Sequence, residues 1–175
     1  EVSDANPMKP HPTDPLATAF LEWSARDRDR SPNTVERYWY TLRQLESPST
    51  ATRSEIENWW ATRYHLSAST RANELACLRS FYKWATKFDH RPDDPTRRLD
   101  PPRVTNHVPR PIGQTDLERM LGPLTVDAPD LRRAIALGAY SGLRVSEAAG
   151  LTWANIDLDG RRIYVRGKGR KERVF

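Results

Sequence analysis

The chain has 175 residues, of which 37% are hydrophobic and 29% are charged, as is typical of a soluble globular protein of one or two small domains. It contains no apolar run near the roughly 18 residues that cross a bilayer, so a membrane-spanning protein is excluded. The single cysteine, Cys77, can form no internal disulfide and lacks the Cys and His partners of a zinc site. We therefore expect a protein of a reducing compartment that holds no metal.

The net charge of +5 is distributed unevenly along the chain. Residues 63–110 carry 10 basic and 5 acidic side chains, and residues 131–175 carry 10 and 4. Two basic blocks favour binding to a polyanion, although on charge alone a solvated surface explains them equally well.

Residues 1–12 are predicted to be a disordered leader, because prolines and few large apolar groups cannot build a core. Residues 13–90 then show four amphipathic patterns with the period of an α-helix, joined by short loops. Their starts carry helix-capping residues, and four such helices predict a compact bundle. The predicted helices cover about 14–26, a segment that begins at Ser31-Pro32, 52–65, and a segment from Ser67 or Ser69 to near Phe88.

A proline-rich segment at 91–111 separates this bundle from the rest of the chain. It has no hydrophobic period, so we predict a semi-extended basic linker between two domains. Residues 112–175 begin with helical patterns and then change to the period of a strand. Asp159-Gly160 between two alternating runs indicates a β-hairpin, and a third strand begins at Arg173. Since the sequence stops inside this strand, we interpret it as a fragment.

Two helices of the predicted bundle have a polar or cationic face opposite their apolar face. Such faces suit base edges and phosphates of DNA, although any helix in a bundle has a polar outer side. The second helix presents Arg37, Tyr40, Thr41 and Gln44, and the fourth presents Arg71, Arg79, Lys83 and Lys87.

Two motifs in the second half carry the chemistry. The first is Ser141-Gly-Leu-Arg144-Val-Ser-Glu147, followed by Leu151-Thr-Trp-Ala-Asn-Ile-Asp157. The second is Gly167-Lys-Gly-Arg-Lys-Glu-Arg173, in which Lys168 follows Arg144 by 24 residues. These motifs resemble the first arginine box and the lysine hairpin of tyrosine recombinases, the family of phage integrases and Xer-type resolvases.

Earlier segments are similar to the same family. Ser31-Pro-Asn-Thr34, with Tyr38 and Leu42 after it, resembles a family helix that opens S-x-x-T and continues Y-x-x-x-L. Residues 70–84 resemble a later helix of the same domain. The resemblance covers about residues 14–175 and departs in small ways, with Asn155 where an acid is common.

The resemblance implies a mainly α fold. A four-helix SAM-like core-binding domain would be followed by a truncated α+β catalytic domain with a small antiparallel β-hairpin or three-stranded sheet. It implies site-specific DNA recombination, as in the integration or excision of phage or mobile DNA, by metal-free strand cleavage through a 3′-phosphotyrosyl intermediate. It implies no cofactor, and as partners double-stranded DNA with core-type sites and a recombinase tetramer on synapsed DNA in a bacterial cytoplasm.

The resemblance also implies roles for individual residues. Arg144 stabilises phosphate charge with support from Glu147, and Lys168 is the general acid. Arg170 and Lys171 of the same hairpin are expected to contact DNA. Without the motifs, Arg144 and Glu147 would be read as a surface ion pair and Lys168 as a solvated loop charge.

In the family, an H-x-x-R box and the tyrosine nucleophile come later in the chain. We therefore expect these 175 residues to bind core-site DNA without recombining it. The alternative is a naturally truncated, non-catalytic relative that occupies recombination sites. An unrelated helical DNA-binding regulator would leave both motifs unexplained.

Overall fold

A computed structural model describes residues 13–105, 108–124, 128–166 and 172–175, with the backbone alone at Arg166. The chain divides into two compact units, Glu1–His107 and Val108–Phe175. Within the described ranges, every helix is too short or too polar to span a lipid bilayer.

The described part of the first unit is a helical bundle, as the sequence predicts. α1 begins after Asp14, whose carboxylate accepts the backbone N–H groups of the first turn at 2.9 and 3.0 Å. The predicted third helix is shorter than expected, since a tighter 3₁₀ turn replaces its last residues. The elements are α1 Pro15–Arg26, α2 Pro32–Leu42, α3 Arg53–Ala61, a 3₁₀ helix Thr62–His65, and α4 Ala68–Lys87.

Aromatic side chains fill the core between α1, α2 and α4. Phe20 of α1 meets Phe81 of α4 edge-on, with ring centroids 5.5 Å apart, and contacts Tyr38 of α2 at 5.2 Å. Edge-on ring pairs of this kind add about 0.5–1.5 kcal/mol to the free energy gained by burial. This core fixes α2 and α4 side by side.

Three side chains hold the loop between α2 and α3. Asp14 accepts the Ser49 backbone N–H at 2.7 Å, and the Tyr82 hydroxyl donates to the Pro48 carbonyl at 3.0 Å. Arg91 donates to two further carbonyls of this loop at 2.9 and 3.1 Å. Burial raises the pKa of Tyr82, so its hydroxyl remains a hydrogen-bond donor at physiological pH.

The segment predicted to be a semi-extended linker differs from that expectation at its start. Leu99 is 8% exposed and belongs to the core of the first unit, and Arg79 of α4 donates to its carbonyl. The Asp94 carboxylate accepts the backbone N–H and the hydroxyl of buried Thr96 at 2.8 and 2.6 Å, which makes a turn. Proline content alone did not predict this packing, because it depends on a core that forms only in the folded unit.

The second unit combines helices with a small sheet. Gly142, with φ of 63°, ends α6 in the left-handed conformation that glycine adopts at low cost. The three strands are antiparallel in the order β1-β2-β3, which confirms the predicted sheet. The described elements are α5 Gln114–Leu121, α6 Pro129–Ser141, α7 Val145–Ala149, a 3₁₀ helix Trp153–Asn155, β1 Ile156–Asp157, β2 Arg162–Arg166 and β3 Glu172–Val174.

Candidate nucleic-acid interface and active site

A polar groove of about 360 Å³ lies between two helices of the first unit, and we call it the α2–α4 groove. It forms because both helices turn their apolar faces to the same core, which brings their polar edges together. Its walls carry amide, hydroxyl, carboxylate and guanidinium groups, which are the groups that bind base edges. The lining residues are Asn33, Glu36, Arg37, Tyr40 and Thr41 of α2, Gln44 just after α2, and Thr70, Asn73 and Glu74 of α4.

Three residues predicted to contact DNA line this groove with exposed side chains: Arg37, Tyr40 and Gln44. Asn33 and Asn73 are also exposed there, and the sequence analysis did not single them out. An Asn side chain can hydrogen-bond to adenine through two atoms. Asn73 could not be found from the pattern of α4 alone, because its importance arises from the helix that lies opposite.

Thr41 is predicted to be an exposed DNA contact, and this prediction is wrong because its side chain is buried. It is only 3% exposed, and its hydroxyl donates to the Arg37 carbonyl at 3.1 Å. The same hydroxyl lies beside the Cys77 thiol of α4, whose pKa is raised by burial. Because α4 covers this side of α2, Thr41 forms part of the floor of the groove and supports the exposed side chains around it.

Glu74 is the charged group at the floor of the groove and is 9% exposed. Arg63, from the 3₁₀ helix, donates to its two carboxylate oxygens at 2.8 and 3.1 Å. The two hydrogen bonds are important for stability. Burying a carboxylate costs several kcal/mol of desolvation free energy unless hydrogen-bond donors contact its oxygens. The Arg63 guanidinium also lies over the Trp59 ring, 5.4 Å from its centroid.

The orientation of Gln44 follows from this arrangement. Its Nε2 group donates to the Tyr40 carbonyl at 2.9 Å and to Glu74 at 3.4 Å. Both N–H groups of the amide are then engaged within the protein. The carbonyl oxygen is the atom that Gln44 can offer to a ligand, and it suits an amino group such as that of adenine or cytosine.

A stacked cation lies beside these residues at the end of α2. The Arg43 guanidinium is 4.6 Å from the Trp39 ring centroid and 4.8 Å from that of Tyr40. Tyr40 is 45% exposed, so the pair forms part of the surface. A stacked guanidinium keeps its N–H donors in the plane of the group, where a phosphate can meet them. The sequence pattern did not single out Arg43, because its stacking on these two rings is visible only in the folded structure.

The four basic residues predicted on α4 have different surroundings. Lys83 and Lys87 are exposed, as a phosphate contact requires. Arg79 is half-buried and donates to the Leu99 carbonyl, so it holds the start of the linker. Arg71 is half-buried over a tyrosine ring, 5.3 Å from its centroid, and its Nε has no hydrogen-bond partner among the described residues.

In the second unit, Arg144 is the residue that precedes α7. Its backbone N–H donates to Glu147 Oε2 at 2.9 Å, and its guanidinium donates to Oε1 at 2.8 Å. Arg173 of β3 donates to the same Oε1. We call these three residues the arginine–glutamate cluster. The Glu147 side chain is 7% exposed, whereas that of Arg144 is 64% exposed.

Hydrogen bonds from Arg144, first from its backbone and then from its side chain, lower the pKa of Glu147. Burial opposes this lowering as the second-largest effect, and the charges of Arg173 and then Arg144 add smaller contributions that lower the pKa. A lowered folded-state pKa means that the contacts stabilise the fold at neutral pH. They are lost only as the pH falls through that lowered value.

The lysine predicted to be the general acid, Lys168, lies outside the described residues, as do Arg170 and Lys171. Their segment connects β2 to β3, and the facing ends of these strands pair at Arg166 and Glu172. The roles of these three residues therefore stay predictions.

Each of the two units matches a known protein family model. Residues 17–88 match the phage integrase N-terminal SAM-like domain, and residues 113–175 match the phage integrase family. The fold is thus a SAM-like helical domain followed by a phage-integrase-type domain. The chain belongs to the phage integrase family of tyrosine recombinases.

Curated relatives carry tyrosine recombinase names. The chain is 32% identical over 169 residues to the tyrosine recombinase XerD of Neisseria meningitidis serogroup B, with 91% of this chain and 58% of that protein covered. It is 31% identical over 170 residues to the tyrosine recombinase XerC of Escherichia coli O157:H7, with 88% and 56% covered. The chain therefore spans somewhat more than half the length of these relatives.

Solved structures show the same fold. An integrase from mycobacterium phage Brujita is 30% identical, with a TM-score of 0.50, and the match covers 92% of this chain and 57% of that one. The Tn1549 transposon integrase, in complex with circular intermediate DNA, is 21% identical with a TM-score of 0.60 and 91% and 58% covered. The second likeness concerns the fold alone.

The contact between Glu74 and Arg63 predicts that two glutamates of the first unit contribute differently to the free energy of unfolding. We expect Glu74→Gln to lower the free energy of unfolding by about 1–3 kcal/mol, because Arg63 loses a partner in a largely buried pair. Urea unfolding followed by tryptophan fluorescence measures this, since five of the six tryptophans lie in the first unit.

The matched control is Glu57→Gln, which breaks an ion pair with Arg53 whose side chains are 42% and 45% exposed. This change should lower the free energy of unfolding by less than about 0.5 kcal/mol. Equal losses from the two variants would contradict a supporting role for Glu74.

Proposed function

We propose that this chain is the DNA-binding and first catalytic part of a site-specific recombinase that integrates or excises mobile DNA. The observation that carries the proposal is the Arg144 guanidinium, which is exposed but held on one side by the nearly buried Glu147. A guanidinium fixed in this way is a ready partner for a phosphate, since it stays charged and presents parallel N–H donors. Relatives named tyrosine recombinases support the assignment.

In this proposal the first unit binds duplex DNA through α2 and α4. Arg37, Gln44 and Asn73 offer groups at the α2–α4 groove that can read base edges. Lys83 and Lys87 on α4 neutralise phosphates without regard to sequence. The partner is a double-stranded core-type recombination site, and four protomers would act on two synapsed sites in a bacterial cytoplasm.

The proposed reaction exchanges one phosphate ester for another. A tyrosine hydroxyl gives up its proton to solvent and its oxygen attacks the phosphorus. The bond from phosphorus to the 5′ oxygen breaks, and a 3′-phosphotyrosyl ester forms. Arg144 stabilises the charge that accumulates on the non-bridging oxygens. Lys168 gives a proton to the leaving 5′ oxygen. Rejoining reverses these steps, so the phosphate bond energy is conserved in the protein–DNA ester.

The tyrosine and the H-x-x-R box come after the lysine hairpin in the family's order. We therefore propose that the 175 residues by themselves bind core-site DNA and do not recombine it. Arg144 and Lys168 would supply two parts of a larger active site.

The first test is DNA binding by this chain. With about four phosphate contacts, we expect affinity for duplex DNA to fall roughly a hundredfold between about 50 and 200 mM salt. Gel retardation at a series of salt concentrations measures this slope. An affinity that does not respond to salt would contradict binding through phosphates.

The same experiment separates base reading from phosphate binding. Arg37→Ala and Gln44→Ala should change which sequences are selected from a random duplex pool, whereas Lys87→Ala should weaken all sequences alike. Arg26→Ala, an exposed arginine on α1, is the control and should change neither property. Equal effects on all sequences from Arg37→Ala, Gln44→Ala and Lys87→Ala would refute α2 as the reading helix.

The second test concerns catalysis. We expect the gene to continue in frame beyond the Phe175 codon into an H-x-x-R box and a tyrosine. In that longer product, Arg144→Ala should bind core-site DNA as well as the unchanged protein but form no covalent adduct on denaturing gels. A normal adduct yield would remove Arg144 from the active site, and an immediate stop codon would favour the non-catalytic DNA-binding relative.

A further inference from the structure

The arginine–glutamate cluster contains one more cation than the proposed reaction uses. Three donors converge on the two oxygens of Glu147: the backbone N–H of Arg144, its guanidinium, and the guanidinium of Arg173. The last contact joins residues 26 positions apart in sequence, from the start of α7 to β3. The function of Arg144 proposed above leaves Arg173 without a role.

The charges of the cluster suggest what Arg173 does. A carboxylate paired with a single guanidinium gives a neutral pair, whose field at a nearby phosphate is weak. With two guanidiniums on one carboxylate oxygen, the cluster carries one net positive charge. Glu147 can then orient Arg144 without cancelling the charge that Arg144 presents to a phosphate.

The sheet explains how Arg173 reaches this place. Its Cα partner on β2 is Val165, and side chains of paired residues lie on the same face of a sheet. Val165 is 6% exposed, so this face is the covered one. The Arg173 guanidinium also lies 5.2 Å from the Phe175 ring centroid, a second contact that limits its freedom. The strand after the predicted lysine hairpin is thereby tied to Glu147 of α7, and through Glu147 to Arg144.

We propose that Arg173 is a positioning residue that holds Glu147 and keeps Arg144 electrostatically available to the phosphate. The inference rests on the proposed function, since it assumes that Arg144 binds phosphate. Arg173 touches no reacting atom in this account and acts through Glu147.

The test uses the 175-residue chain and inorganic phosphate at low ionic strength. Arg173→Gln keeps a hydrogen-bond donor but removes the charge, and Arg173→Lys keeps the charge. Arg162→Gln removes an exposed arginine from β2 of the same sheet and is the matched control. Two quantities are measured by NMR: the pKa of the Glu147 carboxyl, and the phosphate affinity from shifts of the Arg144 signals.

We expect Arg173→Gln to raise the pKa of Glu147 toward its ordinary value and to weaken phosphate binding roughly two- to fivefold. Arg173→Lys should largely restore both quantities, and Arg162→Gln should leave both unchanged. A merely structural role would lower stability without moving either quantity in the folded variant. Unchanged pKa and affinity in Arg173→Gln would therefore overturn the proposal.

If Arg173→Gln unfolds the second unit, the Arg173→Lys variant tests the proposal instead. The proposal requires that it keep the lowered pKa of Glu147 and bind phosphate within about twofold of the unchanged chain, and failure of either overturns it. Neither measurement needs DNA or a nucleophile. A chain that binds DNA but fails this test loses the role of Arg173 alone. An unchanged chain that does not bind DNA, or an unchanged longer product that forms no covalent adduct, would refute the proposed function.

Discussion

A carboxylate that leaves water must be met by hydrogen-bond donors, and among the described residues Glu74 in the first unit and Glu147 in the second are under this constraint. In the first unit Glu74 accepts from Arg63 and from Gln44. In the second unit Glu147 accepts from Arg144 and from Arg173. Both glutamates are nearly buried, while the polar groups they hold lie beside the candidate DNA and phosphate sites. The orientation of those sites depends on these two charges.

The same constraint decides which atoms are offered to a ligand. Glu74 engages the amide N–H groups of Gln44 together with a backbone carbonyl, so the amide oxygen is what the groove can present. Glu147 takes one edge of the Arg144 guanidinium and leaves a side chain that is 64% exposed. The first site therefore offers a hydrogen-bond acceptor, the Gln44 amide oxygen, and the second offers a cation, the Arg144 guanidinium. They match base reading and phosphate binding, the two tasks of the proposed recombinase.

Local signals made much of the fold predictable. Capping residues such as Asp14 and Thr52 mark helix starts, and Asp159-Gly160 lies in the connection between two paired strands. The arginine motif also placed Arg144 and Glu147 within one helical turn of each other. What the sequence could not give was the surroundings of each side chain. The exposure of Thr41 depends on where α4 packs, and the role of Arg173 depends on a contact across the second unit.

The central claim is that the α2–α4 groove is the surface that meets DNA. The most direct measurement is an NMR titration of the ¹⁵N-labelled chain with a duplex selected from a random pool. The account predicts that the largest amide shifts fall in residues 33–44 and 70–87, with small changes in α1 and α3. Shifts concentrated in α1 or α3, with those two segments unchanged, would contradict it.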